Sequence, residues 1–159
     1  MTQSVSWTDT ASMLSTAGTV LAVLVAIVGA RVALDHISTS REAAALNAWN
    51  DYLRLCFENP SYACADQART VIPDGLERLK DNSSVQAEKY QWFLSIVLNS
   101  CEQVLLAMPN VREWRGTLID QIWYHADAIR QVWGEWKEGY SDEMQGIVDE
   151  GLRKGSDNA

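Results

Sequence analysis

The stretch TASMLSTAGTVLAVLVAIVGA, residues 10–30, decides the fold of this chain because its 21 residues include no charged side chain. As a helix rising about 1.5 Å per residue, it would be about 31 Å long, which matches the hydrocarbon thickness of a bilayer. Its Ser and Thr hydroxyls can bond back to helix carbonyls, and Trp7 stands where an aromatic ring would meet the membrane interface. We therefore predict a transmembrane helix that, with its continuation, covers residues 10–36.

Three other interpretations of this stretch compete with a transmembrane helix. The sequence Val28-Gly29-Ala30 fits the small-residue cleavage site of a signal peptide, but the preceding residues lack Lys and Arg and include Asp9. A buried core helix is normally shorter than such an uncharged run. An interfacial helix would need a charged face, and this stretch has none.

The flanking charges predict the orientation of the span. No Lys or Arg precedes it, whereas Arg31 and Arg41 follow it closely. The positive-inside rule then places residues 1–9 outside the cytoplasm and the helical domain, residues 37–154, inside it, with residues 155–159 as a frayed tail. We expect a single-pass protein of the inner (cytoplasmic) membrane. Three sparse cysteines, read as reduced thiols, agree with a reducing compartment.

Small residues recur at every fourth position of the span, at Gly18, Ala22, Ala26 and Ala30. This spacing lets two helix backbones approach closely in lipid, so it predicts self-association of the span. The alternative is that Ala and Gly are simply common in membrane helices.

The remainder of the chain shows helical periodicity and no convincing strand pattern. A helix over residues 41–58 would start at the capping box Thr39-Ser-Arg-Glu42, unless the membrane helix runs on through Ile37. Asn59-Pro60 ends it, and short helices are expected at residues 63–71 and 76–79. The apolar face of the 41–58 helix is predicted to contain Leu46, Trp49, Leu53 and Cys56.

Two long helices are predicted next, at residues 85–108 and 111–137, and Ser141 would cap a last helix at residues 142–152. The connection at Pro109-Asn110 is so short that the two long helices should form an antiparallel hairpin. The predicted fold class is all-α, with one transmembrane helix followed by a small helical bundle. The first long helix has a heptad-like seam of Tyr90, Leu94, Val97, Cys101, Val104 and Met108, and the second has a stripe of Trp114, Leu118, Ile122, Ala126, Ile129, Trp133 and Trp136.

Composition argues against several classes of function. A net charge of -8 repels phosphate backbones, so the composition argues against nucleic acid as a partner. Two histidines and three cysteines without a CxxC pair do not supply the roughly four closely spaced ligands of a zinc site. No phosphate-binding loop, nucleophile elbow or dinucleotide fingerprint occurs. We expect no metal, no cofactor and no catalytic site.

Polar and aromatic residues off the apolar stripes are the remaining candidates. Trp123 and Tyr124 lie beside the stripe of their helix and are predicted to form an exposed patch that meets another subunit or the membrane surface. His125, close to Asp127, is expected to be a surface or half-buried residue, with a general base as the alternative. A polar stripe on the first long helix is either a solvated face or, because it is mostly uncharged, a polar interface or cavity. It consists of Gln91, Ser95, Asn99 and Glu102.

Two resemblances add hypotheses. The Arg-x-x-x-x-His spacing of Arg31 and His36 resembles the nuclease signature of the HEPN superfamily, and a membrane helix with a helical domain is similar in outline to the membrane accessory protein of type VI-B CRISPR systems. This resemblance implies that Arg31 and His36 act on RNA, whereas at a membrane edge Arg31 would serve as an anchor. The sequences DYLRLCFENPSYA (51–63), YQWF (90–93) and CEQVL (101–105) resemble small uncharacterised bacterial single-span proteins, which implies a fold and a bacterial setting.

Three functions follow as hypotheses. The first is a membrane-anchored scaffold that forms homo-oligomers and recruits an unknown cytosolic protein. The second is an oligomeric effector that perturbs or pores the bilayer in phage defence. The third is a HEPN-like ribonuclease.

Overall fold

The computed structural model describes residues 7–73, 75–77, 79–81, 84–109 and 111–156, with side chains described between Thr19 and Lys154. Several predictions lie outside the described residues. They concern most of the predicted extracytoplasmic segment (residues 1–6), Asn110 in the predicted connection Pro109-Asn110, and the end of the tail (residues 157–159).

Regular structure in the described part of the chain is entirely helical, which confirms the all-α prediction. The six α-helices are α1 (Trp7–Glu58), α2 (Ala65–Val71), α3 (Val85–Ala107), α4 (Arg112–Tyr124), α5 (Ala126–Trp136) and α6 (Asp142–Ser156). Short 3-10 turns cover Pro60–Tyr62, Leu79–Asp81 and Lys137–Gly139.

The chain divides into two units, Met1–Ser40 and Arg41–Ala159. In the first unit, helix α1 continues through residues 37–40 without a break. The Thr39 hydroxyl donates to the carbonyl of Asp35 at 3.0 Å, one turn back in the same helix. Thr39 therefore does not begin a new helix as a capping box, and the alternative that the apolar helix runs on past Ile37 is the correct one.

In the second unit, the last part of α1 buries a face that differs from the predicted one. Ala45, Trp49 and Tyr52 are buried, whereas Leu46 and Leu53 are 39% and 46% exposed. The prediction of Leu46 and Leu53 as core residues was wrong because the aromatic partners of Trp49 and Tyr52 set the rotation of the helix. The ring of Trp49 lies edge-on to Trp114 at 5.4 Å, and that of Tyr52 lies 5.9 Å from Phe93.

Helix α3 agrees closely with its prediction. The Ser84 hydroxyl caps it by accepting a hydrogen bond from the amide of Ala87 at 3.1 Å. Five of the six predicted seam residues are buried, and Met108 at its end is half-buried.

The predicted helix over residues 111–137 is divided at His125 into α4 and α5. The backbone of His125, with φ -112° and ψ 12°, leaves the helical region. The amide N–H of His125 donates a hydrogen bond to the carbonyl of Ile122. The apolar stripe is still buried or half-buried along both pieces.

Helix α6 packs along α4. Arg115 pairs with Glu150 at 2.5 Å, and Lys154 pairs with Asp120. Gly151 allows the close approach, because a Cβ there would fall 2.6 Å from Cγ2 of Ile122. Ser141 caps α6 as predicted, since the amide of Met144 donates to its hydroxyl at 3.3 Å. The helix ends at Ser156 rather than at residue 152.

The shorter elements differ from their predictions in detail. Helix α2 begins two residues later than expected, and a 3-10 turn at Leu79–Asp81 replaces the helix predicted at residues 76–79. Gly75, with φ 69°, supplies the left-handed turn between these elements.

Candidate functional site

The apolar segment of α1 is the most unusual surface of the described chain. Every side chain from residue 19 to residue 44 is exposed. Its large apolar side chains between Val20 and Val28 are 53% to 64% exposed. Burying apolar surface contributes about 25 cal/mol per Å², so leaving this surface in water is unfavourable. Within the described residues, one helical stretch, Thr19–Glu58, is long and apolar enough to cross a membrane by its length and composition.

The small residues Gly18, Ala22, Ala26 and Ala30 all lie within this helix. At about 100° per residue, each step of four turns the position by about 40°, so the four occupy one slowly rotating stripe. This geometry suits helices that cross at an angle. Self-association through the stripe stays a prediction.

Arg31 and His36 are both exposed on the same continuous helix. Five residues correspond to about 140° of rotation, so their side chains leave the helix on different faces. The structure does not bring them together within one chain. Their catalytic role stays an untested hypothesis.

Trp123 and Tyr124 lie at the end of α4 with ring centroids 5.2 Å apart. Tyr124 is 52% exposed, whereas Trp123 is half-buried under the ammonium of Lys154, 5.1 Å from its ring. Both line a groove of about 340 Å³ together with Cys64 and Asp66 of the α2 region. The interface role predicted for this pair stays a prediction.

His125 is fully buried, so the expectation of a surface or half-buried position was wrong. Its Nδ1 is hydrogen-bonded to the hydroxyl of Tyr90 at 2.9 Å, and the Phe93 ring lies 5.9 Å away. Burial in these aromatic surroundings lowers the pKa of His125 to about 4, so the imidazole is neutral at pH 7. It is therefore a structural residue rather than a base poised near neutral pH.

Asp127 does not serve His125 as a carboxylate partner. Its two oxygens accept hydrogen bonds from Arg69 at 2.7 Å and from Arg130 at 2.9 Å. Arg130 also donates to the carbonyl of Leu152 at 2.6 Å, which joins α5 to the end of α6. The His–carboxylate pair suggested by the sequence does not form.

Nε2 of His125 is a buried polar atom with no hydrogen-bond partner in the part of the chain that the structure describes, and the hydroxyl of Tyr52 is buried beside the thiol of Cys56. Burial, with the neighbouring Cys56 thiol, raises the pKa of Tyr52 well above its usual value. His125 and Tyr52 are therefore both neutral. Burying a neutral polar group costs much less free energy than burying a charged one.

The polar stripe of α3 is mostly structural. Gln91 donates to the carbonyl of Leu79, and Glu102 accepts a hydrogen bond from the amide of Ser141 at 2.7 Å. Ser95 donates back to the carbonyl of Gln91 at 3.1 Å. The stripe thus attaches two connecting segments to α3, and only Asn99 is fully exposed.

Three grooves in the described part of the chain lie at or below the lower end of the size range of ligand pockets. Two have volumes of about 170 Å³ and 300 Å³ beside the one of about 340 Å³, against roughly 300–1,000 Å³ for ligand pockets. Among the described side chains, no three His, Cys, Asp or Glu residues cluster closely enough to hold a metal ion.

One residue escaped the sequence analysis. Trp92 is 67% exposed on α3. The sequence feature that could have revealed it is its position, because residue 92 falls on the side of α3 opposite the buried seam of Tyr90 and Leu94.

Comparisons of the chain with protein-family models, with curated proteins and with solved structures found no match.

Proposed function

We propose that this chain is a membrane-anchored interaction or scaffold protein that associates with itself and presents a helical domain to a partner protein. The observation that carries the proposal is the uninterrupted exposure of the apolar side chains of α1 between Val20 and Val28. A helix that was part of a soluble core would bury one face, whereas lipid solvates all faces of a membrane helix.

In the proposed orientation, α1 crosses the inner membrane of a bacterium and the second unit lies in the cytoplasm. It is supported by the position of Arg31 and Arg41 after the apolar segment. The proposed partners are the bilayer, further copies of the chain and a cytosolic protein.

We also propose that the soluble helices form a bundle in which α3 and α4 are an antiparallel hairpin. The support is a connection of only a few residues between Ala107 and Arg112 and the contribution of both helices to one buried core.

Membrane fractionation tests the anchor. We expect the full chain to stay in the membrane through an alkaline wash and to be released by detergent. Replacing both Leu24 and Val25 by Arg should shift the chain to the supernatant. The free energy of membrane insertion rises by about 2.5–3.5 kcal/mol for each Arg at the centre of a span. Phe57→Arg, at an exposed position beyond the predicted transmembrane segment (residues 10–36), is the matched control. Recovery of the unaltered chain in the supernatant, or an intact mass lacking the apolar segment, would contradict the proposal.

Crosslinking in native membranes tests self-association. Gly18→Leu combined with Ala22→Leu should abolish the crosslinked dimer, because bulky side chains separate the helix backbones. Val20→Leu, about 200° around the helix from Gly18, is the control. A monomer under all conditions, or an unchanged dimer in the double variant, would remove the stripe from the proposal.

A further inference from the structure

Helix α3 has a second apolar stripe opposite its buried seam. Val85, Trp92, Ile96 and Leu106 are exposed on this side, with Trp92 at 67%. Residues 85, 92 and 106 are separated by multiples of seven, and residue 96 lies one turn from Trp92. Seven-residue spacing is the pattern by which one helix packs along another. We call this surface, with Asn99 and Gln103 between its apolar residues, the α3 outer face.

The α3 outer face is uncharged from Trp92 to Leu106, although the chain carries a net charge of -8. Two acidic copies repel each other over most of their surfaces, so they approach at the lowest electrostatic cost through an uncharged one. Glu88 and Lys89 at one end of the face carry one charge of each sign. A two-fold arrangement can place each carboxylate near the other copy's ammonium, which makes the charges self-complementary.

Trp92 stands at the edge of a groove of about 300 Å³ lined by Glu88, Gln91, Ser95 and Trp136. This volume is at the lower end of ligand pockets, which suits one large side chain better than a cofactor. A patch that carries both a projecting ring and an adjacent groove is complementary to itself under two-fold rotation.

We propose that the α3 outer face is a self-association surface of the helical domain, on which a second copy of this chain packs with its Trp92 in the groove beside Trp136. The inference rests on the proposed self-associating function and adds a surface outside the membrane segment. Tryptophan is enriched among the residues that dominate binding at interfaces, and Asn99 and Gln103 can hydrogen-bond to their counterparts across the axis.

The test is the dissociation constant of the full chain in a mild detergent, measured by sedimentation. Trp92→Gln should weaken association roughly thirtyfold, the loss typical of an interface tryptophan, and Ile96→Gln should weaken it to a smaller extent. Phe57→Gln is the matched control because Phe57 is an 88% exposed aromatic residue outside the α3 outer face. Circular dichroism verifies that each variant keeps its helix content. If folded Trp92→Gln has the same dissociation constant as the unaltered chain, the inference is overturned, because a second copy then does not pack on the α3 outer face.

A disulfide experiment in membranes provides an independent measurement. On treatment with an added oxidant such as iodine, which accepts the two electrons, Asn99→Cys on the α3 outer face should form a disulfide-linked dimer that the unaltered chain with its three native cysteines does not form. Gln67→Cys, exposed on α2, is the control. No dimer for Asn99→Cys beyond the level of Gln67→Cys overturns the inference.

The variants separate this inference from the proposed function. Loss of association in Trp92→Gln but not in the Gly18→Leu, Ala22→Leu double variant supports the α3 outer face and removes the membrane stripe. The opposite result overturns the inference and leaves the membrane stripe in place. If the unaltered chain is monomeric in detergent and in membranes, both the inference and the proposed self-association are overturned.

Discussion

The hydroxyl of Tyr90 and Nδ1 of His125 are hydrogen-bonded at 2.9 Å, and both side chains are completely buried. The bond joins α3 to the turn that separates α4 from α5. Because burial raises the pKa of Tyr90 and lowers that of His125, both partners are neutral at pH 7. A neutral buried pair contributes modestly when formed and costs more when one partner is left alone.

Removing the Tyr90 hydroxyl should destabilise the second unit. We expect Tyr90→Phe to lower the free energy of unfolding by about 1–3 kcal/mol, because Nδ1 of His125 loses its hydrogen bond while staying buried. Urea unfolding of the full chain in mild detergent, followed by circular dichroism, measures the change. Tyr124→Phe, at a half-exposed position, should change stability by less than about 0.5 kcal/mol. Equal effects of the two substitutions would contradict the role of the bond.

Acid should destabilise the second unit through His125. Its folded-state pKa of about 4 lies below the usual value of 6.5, so the unfolded chain binds the proton more readily. Stability from this group is therefore complete above about pH 6.5 and is lost progressively as the pH falls toward 4, by roughly 3 kcal/mol in total. Urea unfolding measured at several pH values between 7.5 and 4 reports the loss.

The second histidine of the chain supplies the control for this pH dependence. His36→Gln should keep the loss of stability between pH 6.5 and 4, because His36 is exposed. His125→Gln should be less stable at neutral pH but should lose less stability on acidification. A His125→Gln variant with the full acid dependence of the unaltered chain would show that other groups carry it.

The regular helices were predictable because their apolar residues repeat at helical spacing over many turns. The seam from Tyr90 to Val104 follows from the burial of one face of α3, and the predicted cap Ser141 fixed where α6 begins. The uncharged segment of α1 was likewise recognisable from its composition alone.

Features that depend on tertiary contacts were not predictable. Neither Pro nor Gly marks the turn at His125, so nothing local distinguished it from the middle of a helix. The buried face of α1 beyond Arg41 is set by ring contacts of Trp49 with Trp114 and of Tyr52 with Phe93, and it leaves the aliphatic residues Leu46 and Leu53 exposed. The pairing of Tyr90 with His125 joins residues 35 positions apart, a separation that spacing rules do not address.

Thiol reactivity should differ sharply among the three cysteines. Cys101 is fully buried, and burial raises its pKa to about 12, whereas Cys64 is half-buried at the edge of a groove. Burial also raises the pKa of the half-buried Cys56. Since the thiolate is the reactive form, iodoacetamide should modify Cys64 first and Cys101 last, at least roughly tenfold more slowly. Peptide mass spectrometry measures the rates, and all three should react alike in concentrated urea. Similar native rates for Cys64 and Cys101 would contradict the burial of Cys101.

Two glycines of α6 provide a matched pair that tests the contact between α4 and α6. A Cβ at Gly151 would fall 2.6 Å from Cγ2 of Ile122 and 3.1 Å from the carbonyl oxygen of Ile119, whereas a Cβ at Gly146 meets nothing within 4 Å. Gly146→Ala should stabilise the chain by up to about 1 kcal/mol through helix propensity alone. Gly151→Ala gains the same propensity but forces the helices apart, so we expect a net loss of about 1–2 kcal/mol. Urea unfolding of both variants measures the difference. If Gly151→Ala were as stabilising as Gly146→Ala, the two helices could not be packed as closely as this contact requires.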